Sequence, residues 1–172
     1  MPNCILLPEL VPSPLYDKSV HDLFRNDKRW KRIRDATRSK VDNQCSACGT
    51  QNHPHCNEVW KYRDDGDIGV AELVAFEILC RECHSAHHIG RIIALRNRPI
   101  LDKVLAHLAG VNKVSLKEAS ALVDSSLRTH SKRSKKAWMV IVAPDLLALY
   151  PDLTVVNTGA SMIYHPSRSR AK

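Results

Sequence analysis

Four cysteines occur in two pairs, each with two intervening residues: Cys45 with Cys48, and Cys80 with Cys83. Such pairs form knuckles whose thiolates can converge on a structural zinc ion, even when a long insertion separates them. The alternative is four unrelated buried cysteines, but chance rarely gives two such pairs in so short a chain. The spacing therefore predicts a structural Zn²⁺ site made of these four residues.

Two histidines, His84 and His88, follow the second pair and lie four residues apart. On a helix, both imidazoles project from one face and can bind the same ion. Two helical histidines alone could equally form a merely polar helix face. Cys56 adds a third candidate ligand, because a strand packed against that helix is expected to turn it towards the histidines. The sequence thus predicts a second metal site of Cys56, His84 and His88.

The chain has a strong positive charge. The chain has 26 Lys and Arg against 18 Asp and Glu, which gives a net charge of +8. Its 172 residues suffice for one domain with some elaboration. Because each neutralised phosphate releases counterions, DNA is the expected partner and RNA the alternative, while a protein partner or a homodimer stays open. A basic surface that only confers solubility would give the same charge. Much of the excess lies in residues 25–38, 91–98, 128–136 and 168–172.

The six cysteines could form disulfides in a secreted protein, but the start Met1-Pro2-Asn3-Cys4 lacks the basic and apolar regions of a signal peptide. We therefore expect a reducing compartment, where Cys-x-x-Cys pairs are more often metal ligands than bridges. No apolar run approaches the roughly 18 to 20 residues that cross a bilayer. The sequence predicts a soluble, cytoplasmic protein with no membrane partner.

The elements that must position these residues follow from hydrophobic periodicity and from the placement of proline and glycine. Prolines 2, 8, 12 and 14 predict an extended arm on the surface. Apolar positions three and four residues apart predict a basic amphipathic helix over 27–41. Residues 58–62 and 70–79 are expected to form two strands, although a helix stays open for the second, and 83–96 a helix that stops at Pro99.

Beyond residue 99 we expect mainly helical structure without an assignable motif. A short helix is predicted over 100–108, and Ser115 with Glu118 forms the capping box of a longer one that reaches about His130. A buried strand over 138–143 and a short helix over 144–150 follow. The predicted organisation is a Pro-rich N-terminal arm (1–26), a zinc-knuckle core with its leading basic helix (27–98), a mainly helical C-terminal elaboration (99–164) and a basic tail (165–172).

The motifs stand in a fixed order: Cys45-x-x-Cys48-Gly49, then Asn57-Glu58-Val59-Trp60-x-Tyr62, then Leu79-Cys80-x-x-Cys83-His84-x-x-x-His88-x-Gly90. Over residues 45–91 this order resembles the zinc-containing branch of the HNH endonuclease family, which carries paired Cys-x-x-Cys motifs and a His-Glu-Val-Trp-like signature. The resemblance implies an α+β fold: a ββα-metal (HNH/His-Me finger) core with a four-cysteine zinc knuckle, flanked by helices.

Transferred position by position, the resemblance implies that the four paired cysteines hold structural zinc and that His84 and His88 hold a catalytic ion. Cys56 stands where many relatives have an aspartate or histidine ligand. A thiolate there favours a borderline ion such as Zn²⁺ over Mg²⁺. The second divalent metal is therefore left open among Zn²⁺, Mg²⁺, Mn²⁺ and Ni²⁺.

Asn57 occupies the position at which the resemblance implies a general-base histidine. An amide can orient a water but cannot take its proton near neutral pH. His55 lies on the same strand face, roughly 6.5 Å away along the strand, and is a poor substitute base. Arg91 could clamp a scissile phosphate, or be a solvated helix residue.

Three functions follow from these residues as expectations. The first is an HNH-type metal-dependent DNA endonuclease or nickase that hydrolyses phosphodiester bonds, inactive in this chain if no other base replaces Asn57. The second is a zinc-dependent nucleic-acid-binding or regulatory protein that does not cleave. The third is a phage or mobile-element adaptor that inhibits a host complex. Whether Asn57 is natural or was introduced to trap a substrate is open at this stage.

Overall fold

The computed structural model describes residues 5–24, 28–64, 66–156 and 163–166 and has an α+β fold. The predicted tail beyond residue 166 and the chain start at residues 1–4 lie outside the described residues. No helix within these ranges is long and apolar enough to span a membrane. The elements in chain order are α1 (Val20–Leu23), α2 (Lys28–Lys40), β1 (His55–Arg63), β2 (Ile68–Leu79), α3 (Arg81–His87), α4 (Ile89–Ala94), α5 (Arg98–Asn112), α6 (Leu116–Arg133), β3 (Ala137–Val142) and α7 (Pro144–Leu149).

The three strands form one sheet in the order β1-β2-β3. Only four residues connect β1 to β2, so these two strands run in opposite directions as a hairpin. β3 pairs in parallel with β2, from Ile68 opposite Ala137 to Leu73 opposite Val142. Parallel neighbours need a long crossover, and helices α3 to α6 lie in that connection. The three predicted strands are confirmed, and β1 and β2 begin earlier than expected.

The chain divides into two compact units, and each has its own core. The first unit contains residues 1–10, 37–57 and 77–129, and the second contains residues 11–36, 58–76 and 130–172. The buried core of the first unit consists of Leu6, Cys45, Leu79, Cys80, Cys83, Ala86, Ile89, Val104, Leu108, Ala109, Ala119 and Val123. That of the second consists of Leu15, Val20, Phe24, Ile33, Ala71, Leu73, Trp138, Val140, Val142, Leu146, Leu153 and Val156.

The helix predicted over 83–96 is two helices. α3 ends at His87, and α4 begins at Ile89, because His88 has φ −97° and ψ 38°, outside the helical range. Pro99 does not merely stop this region. It lies in the first turn of α5, where its fixed φ and missing N–H suit a helix start, and the Asn97 side chain caps the same turn. α5 accordingly begins earlier and ends later than the predicted helix over 100–108.

The N-terminal segment is not a surface arm in its described part. Leu6 is buried in the first unit, where the Asn112 side chain accepts from its amide at 2.9 Å and donates to its carbonyl at 2.7 Å. Leu15 is buried in the second unit, within a 3₁₀ turn over Ser13–Leu15. The prolines do keep the segment largely free of α-helix, but its leucines bury apolar surface, which is favourable.

The capping box at the start of α6 is confirmed. The Ser115 amide donates to Glu118 Oε2 at 2.8 Å, and the Glu118 amide donates to Ser115 Oγ at 3.2 Å. These reciprocal bonds satisfy amides that have no partner inside the helix. α6 therefore begins at the predicted position and extends one turn beyond His130.

Candidate metal centre

The four sulfurs of the two Cys-x-x-Cys pairs converge in the first unit. All four Sγ atoms lie within 4.8 Å of one another, and those of Cys48 and Cys80 are 3.7 Å apart. Sulfurs bound tetrahedrally at about 2.3 Å from one zinc ion are about 3.8 Å apart. None of the four forms a disulfide. The cluster predicted from the sequence is therefore present, could hold a metal ion, and has a donor set that fits zinc.

A tight turn builds the first half of the cluster. The Gly49 amide donates to the Cys45 carbonyl, and the Cys45 amide to the Thr50 carbonyl, both at 2.8 Å. Gly49 has φ +75°, which glycine adopts at little cost because it has no Cβ. The Ser46 amide donates to the Ile78 carbonyl at 2.7 Å. Because Ile78 lies at the end of β2, just before the second pair, this bond brings the two halves together.

The start of α3 builds the second half. Cys80 is the N-cap residue, and its Sγ accepts a hydrogen bond from the Cys83 amide at 3.4 Å. Backbone amides at a helix start carry partial positive charge and favour a thiolate. The sequence places Cys83 three residues beyond the cap, so one helical turn directs both sulfurs to the same point.

Burial and hydrogen bonds shift the pKa values of Cys45, Cys80 and Cys83 in different directions. Burial raises the pKa of Cys45, but the amides of Cys80, Cys48 and Ala47 outweigh it, so the net pKa lies below its ordinary value. Burial raises the pKa of Cys80 to about 11 and raises that of Cys83 further, with added repulsion from neighbouring sulfurs. Four adjacent thiolates need a cation, and a divalent ion would remove this penalty because it binds the thiolate form.

The second predicted cluster, Cys56 with His84 and His88, is not formed. In the described part of the chain, the four sulfurs are the only group of three or more His, Cys, Asp or Glu side chains whose ligand atoms converge in this way. The physical reason is strand alternation. His55 and Asn57 both contact the histidines of α3 and its C-cap, so Cys56 between them points to the opposite face of β1.

Three histidines, His55, His84 and His88, form a row of neighbouring rings beside Asn57 of β1. The ring of His55 stacks on that of His84 at 5.2 Å between centroids, with 6° between the planes. The His84 and His88 rings are 4.8 Å apart in an edge-on arrangement. His88 Nε2 lies 3.0 Å from Asn57 Oδ1, and Asn57 Nδ2 donates to Glu77 Oε1 at 3.0 Å. Three of the predicted site residues, Asn57, His84 and His88, are thus brought together with His55.

The row is held neutral at physiological pH. Burial, followed by the charges of His55, His87 and Arg91, lowers the pKa of His84 to about 4. Burial, followed by the charges of His87, His84 and Arg91, lowers the pKa of His88 to about 3. Arg91 itself is exposed on α4. Neutral imidazole is the form that binds metal ions or accepts a proton.

Two residues that contact the predicted site residues were not predicted from the sequence. Glu77 lies across the hairpin and fixes the amide of Asn57, and His107 of α5 has its Nε2 3.1 Å from Cys83 Sγ. Strand pairing could have suggested the first, because Asn57 and Glu77 lie on the two strands of the predicted hairpin. No local pattern identifies His107, since its approach depends on how α5 packs.

Comparison of the chain with family models, with curated proteins and with solved structures finds no match in any of the three. The fold and the cluster define an α+β protein with a four-cysteine site that could hold a metal ion. The resemblance to HNH endonucleases rests on the motifs and their order.

Proposed function

We propose that this chain is a nucleic-acid-binding protein built on the scaffold of an HNH-type, metal-dependent DNA endonuclease, and that it does not itself cleave the phosphodiester bond. The hydrogen bond between Asn57 Oδ1 and His88 Nε2, at 3.0 Å, carries this proposal. The resemblance assigns the general-base position to Asn57 and a metal-ligand position to His88. In this chain the side chains at these two positions are hydrogen-bonded to each other.

Asn57 cannot take the proton that an attacking water must lose, because an amide has no useful basicity near neutral pH. The residue is only 3% exposed, and Glu77 and His88 occupy the two ends of its side chain. Loss of a general base lowers the rate by roughly two to four orders of magnitude. This argues against hydrolysis by the chain as it stands.

Two of the predicted ligands for a second ion, His88 and Cys56, are also unfavourably placed to bind one. An amide oxygen accepts hydrogen bonds, so the bond to Asn57 puts the proton of His88 on Nε2 and leaves Nδ1 as its metal-binding nitrogen. Cys56 lies on the other face of β1. We therefore propose that nucleic-acid binding needs the four-cysteine site but no second divalent ion.

Exposed basic residues of α2 and α4 support the proposal that the chain binds nucleic acid. α2 carries seven Lys and Arg among its 13 residues, and Lys28, Lys31, Arg32 and Lys40 are exposed. Arg91 is exposed, and its charge lowers the pKa values of both His84 and His88. A guanidinium beside neutral imidazoles suits a phosphate group. Duplex DNA is the proposed partner.

A second candidate function, a nickase that uses His55 as its base, is favoured by one observation. His55 is exposed on one side and stacked on His84 on the other, and this partial burial of its ring, followed by the charges of Arg38 and Arg81, lowers its pKa. It is therefore neutral at pH 7 and can accept a proton from water. An ion bound through His88 Nε2 would require rotation of the His88 ring away from Asn57.

Binding is tested by fluorescence anisotropy with labelled duplex DNA and with an RNA duplex of the same sequence, across a salt series. We expect DNA affinity to fall steeply with salt, and Arg91→Ala to lower the salt slope by about 1 if Arg91 contacts one phosphate. Lys117→Ala, which removes an exposed charge from α6, is the matched control and should leave the slope unchanged. Absence of binding to either duplex at low salt would refute the proposal.

Cleavage is tested on supercoiled plasmid with Mg²⁺, Mn²⁺, Zn²⁺ or Ni²⁺. We expect no nicking by the wild-type chain and nicking by Asn57→His, which supplies a base and frees His88. Adding His84→Ala to that variant should abolish the gain. Nicking by the wild-type chain that disappears in His55→Ala would instead establish the second candidate. If neither chain nicks, the endonuclease origin of the scaffold loses its support.

A further inference from the structure

A histidine from outside the motif segment reaches the sulfur cluster. His107 lies on α5, and its Nε2 is 3.1 Å from Cys83 Sγ. The first core buries Cys83 and Ala86 of α3 together with Val104 and Leu108 of α5. Helix packing therefore fixes where His107 lies, independently of any bound ion.

The distances distinguish a hydrogen bond from metal ligation. A nitrogen and a sulfur bound tetrahedrally to the same zinc ion, at about 2.0 and 2.3 Å, lie about 3.5 Å apart. The 3.1 Å separation of His107 Nε2 and Cys83 Sγ is shorter than that. The four sulfurs already supply the four ligands that a structural zinc site uses. The contact thus fits a hydrogen bond between His107 and Cys83, in which a protonated Nε2 is the donor when Cys83 is a thiolate.

We propose that His107 is a positioning residue of the zinc site, which donates its Nε2–H to the Cys83 thiolate and thereby slows zinc release. The inference rests on zinc being bound by the four cysteines, and it is independent of whether the chain binds nucleic acid. Four thiolates and one Zn²⁺ leave two negative charges in a largely buried place. Donors that point at the sulfurs offset this charge.

His107 is distinctive because the other donors named at these sulfurs, in the part of the chain that the structure describes, are backbone amides. The Cys83 amide donates to Cys80, and the amides of Cys80, Cys48 and Ala47 act on Cys45. These amides persist in any side-chain variant. Cys83 is fully buried, so water cannot easily replace a lost donor there. Removal of the His107 imidazole should therefore leave the Cys83 thiolate without this donor and weaken the zinc site at that sulfur.

The test uses the full chain loaded with zinc or with cobalt(II). His107→Leu keeps bulk and removes the donor, whereas His107→Gln retains an N–H near the position of Nε2. We expect His107→Leu to release zinc to a colorimetric chelator about 10- to 100-fold faster, the usual effect of removing such a partner. In the cobalt protein, its thiolate-to-metal charge-transfer band should shift. His107→Gln should restore both values towards wild type.

Leu105→Ala is the matched control on the same helix, because Leu105 packs against the same core and its side chain carries no hydrogen-bond donor for a sulfur. It should lower the unfolding midpoint and leave the cobalt spectrum unchanged. Unchanged zinc release and an unchanged spectrum in His107→Leu would overturn the inference, as would a His107→Gln variant as impaired as His107→Leu. A wild-type chain that binds no stoichiometric zinc would overturn the inference and its premise together, whatever the DNA-binding result.

Discussion

His88 Nε2 and Asn57 Oδ1 are joined at 3.0 Å, so a residue between two helices is bound to a residue of β1. Glu77 of β2 completes the chain of hydrogen bonds from the other end of the amide. These hydrogen bonds link β1, β2 and the residue that follows α3. They use, for structural purposes, two side chains that the HNH resemblance assigns to catalysis.

The first prediction concerns this network. Asn57→Ala should lower the free energy of unfolding by about 1–3 kcal/mol, because it leaves polar groups of Glu77 and His88 without their buried partner. Urea unfolding followed by circular dichroism measures the change. Asn52→Ala, at an exposed loop position, is the control and should stay within about 0.5 kcal/mol of wild type. Equal losses in the two variants would show that the network contributes nothing specific.

The second prediction concerns the sulfur cluster. Cys48 is the exposed member, so Cys48→Ser removes a ligand with little effect on packing. We expect zinc content to fall, the thermal midpoint to drop, and the remaining transition to become insensitive to a chelator, because metal binding contributes directly to folding. Metal analysis and melting curves with and without chelator measure these effects.

Cys56→Ser is the control for the cluster, because Cys56 lies outside the four converging sulfurs. It should retain zinc and keep a chelator-sensitive transition. Loss of zinc in Cys56→Ser, with zinc retained in Cys48→Ser, would mean that the ligands were assigned to the wrong cysteines.

The sequence predicted the four-cysteine cluster because ligand spacing within a turn is a local property. Cys56 is not part of the converging group in the described residues, and strand alternation offers a physical reason: His55 and Asn57 share a face of β1, so Cys56 is expected on the other. The interruption at His88 has no proline to signal it. Contacts between residues far apart in sequence, such as His107 with Cys83, depend on helix packing that periodicity does not specify.

The third prediction concerns a glycine beneath a tryptophan in the second unit. A Cβ on Gly69 would lie 2.7 Å from ring atoms of Trp138, its register partner on β3. Trp138 is fully buried and its Nε1 donates to the Arg133 carbonyl at 2.8 Å, so the ring cannot easily move away. Gly69→Ala should therefore destabilise by about 1–3 kcal/mol, the usual cost of overpacking.

Urea unfolding measures this loss, and near-ultraviolet circular dichroism reports displacement of the Trp138 ring. Gly66→Ala is the matched control, because the nearest atom to its added Cβ is a backbone oxygen at 3.6 Å, an ordinary contact. That variant should be nearly neutral. If Gly69→Ala were as stable as Gly66→Ala, the strand would have to shift, and the spectrum would reveal the altered ring environment.

The fourth prediction is a pH dependence from Glu58 in the second unit. Burial raises the pKa of this carboxyl to about 7, against hydrogen bonds from the His21 amide and from Trp60 Nε1 that lower it. The unfolded chain therefore releases this proton at lower pH than the folded chain. The contribution of Glu58 is complete below the unfolded pKa and is lost as pH rises through the folded pKa.

Glu58→Gln removes this titration. Between pH 5 and 7 the stability of wild type relative to the variant should decline by up to about 1.4 kcal/mol per pH unit, because one proton is released only on unfolding. Urea unfolding of both chains at matched pH values measures this difference, and the subtraction cancels the opposite contribution of the buried histidines. Glutamine replaces one acceptor oxygen by a donor, so a constant offset is expected at every pH. An offset with no pH dependence would show that the Glu58 carboxyl titrates alike in the folded and unfolded chains.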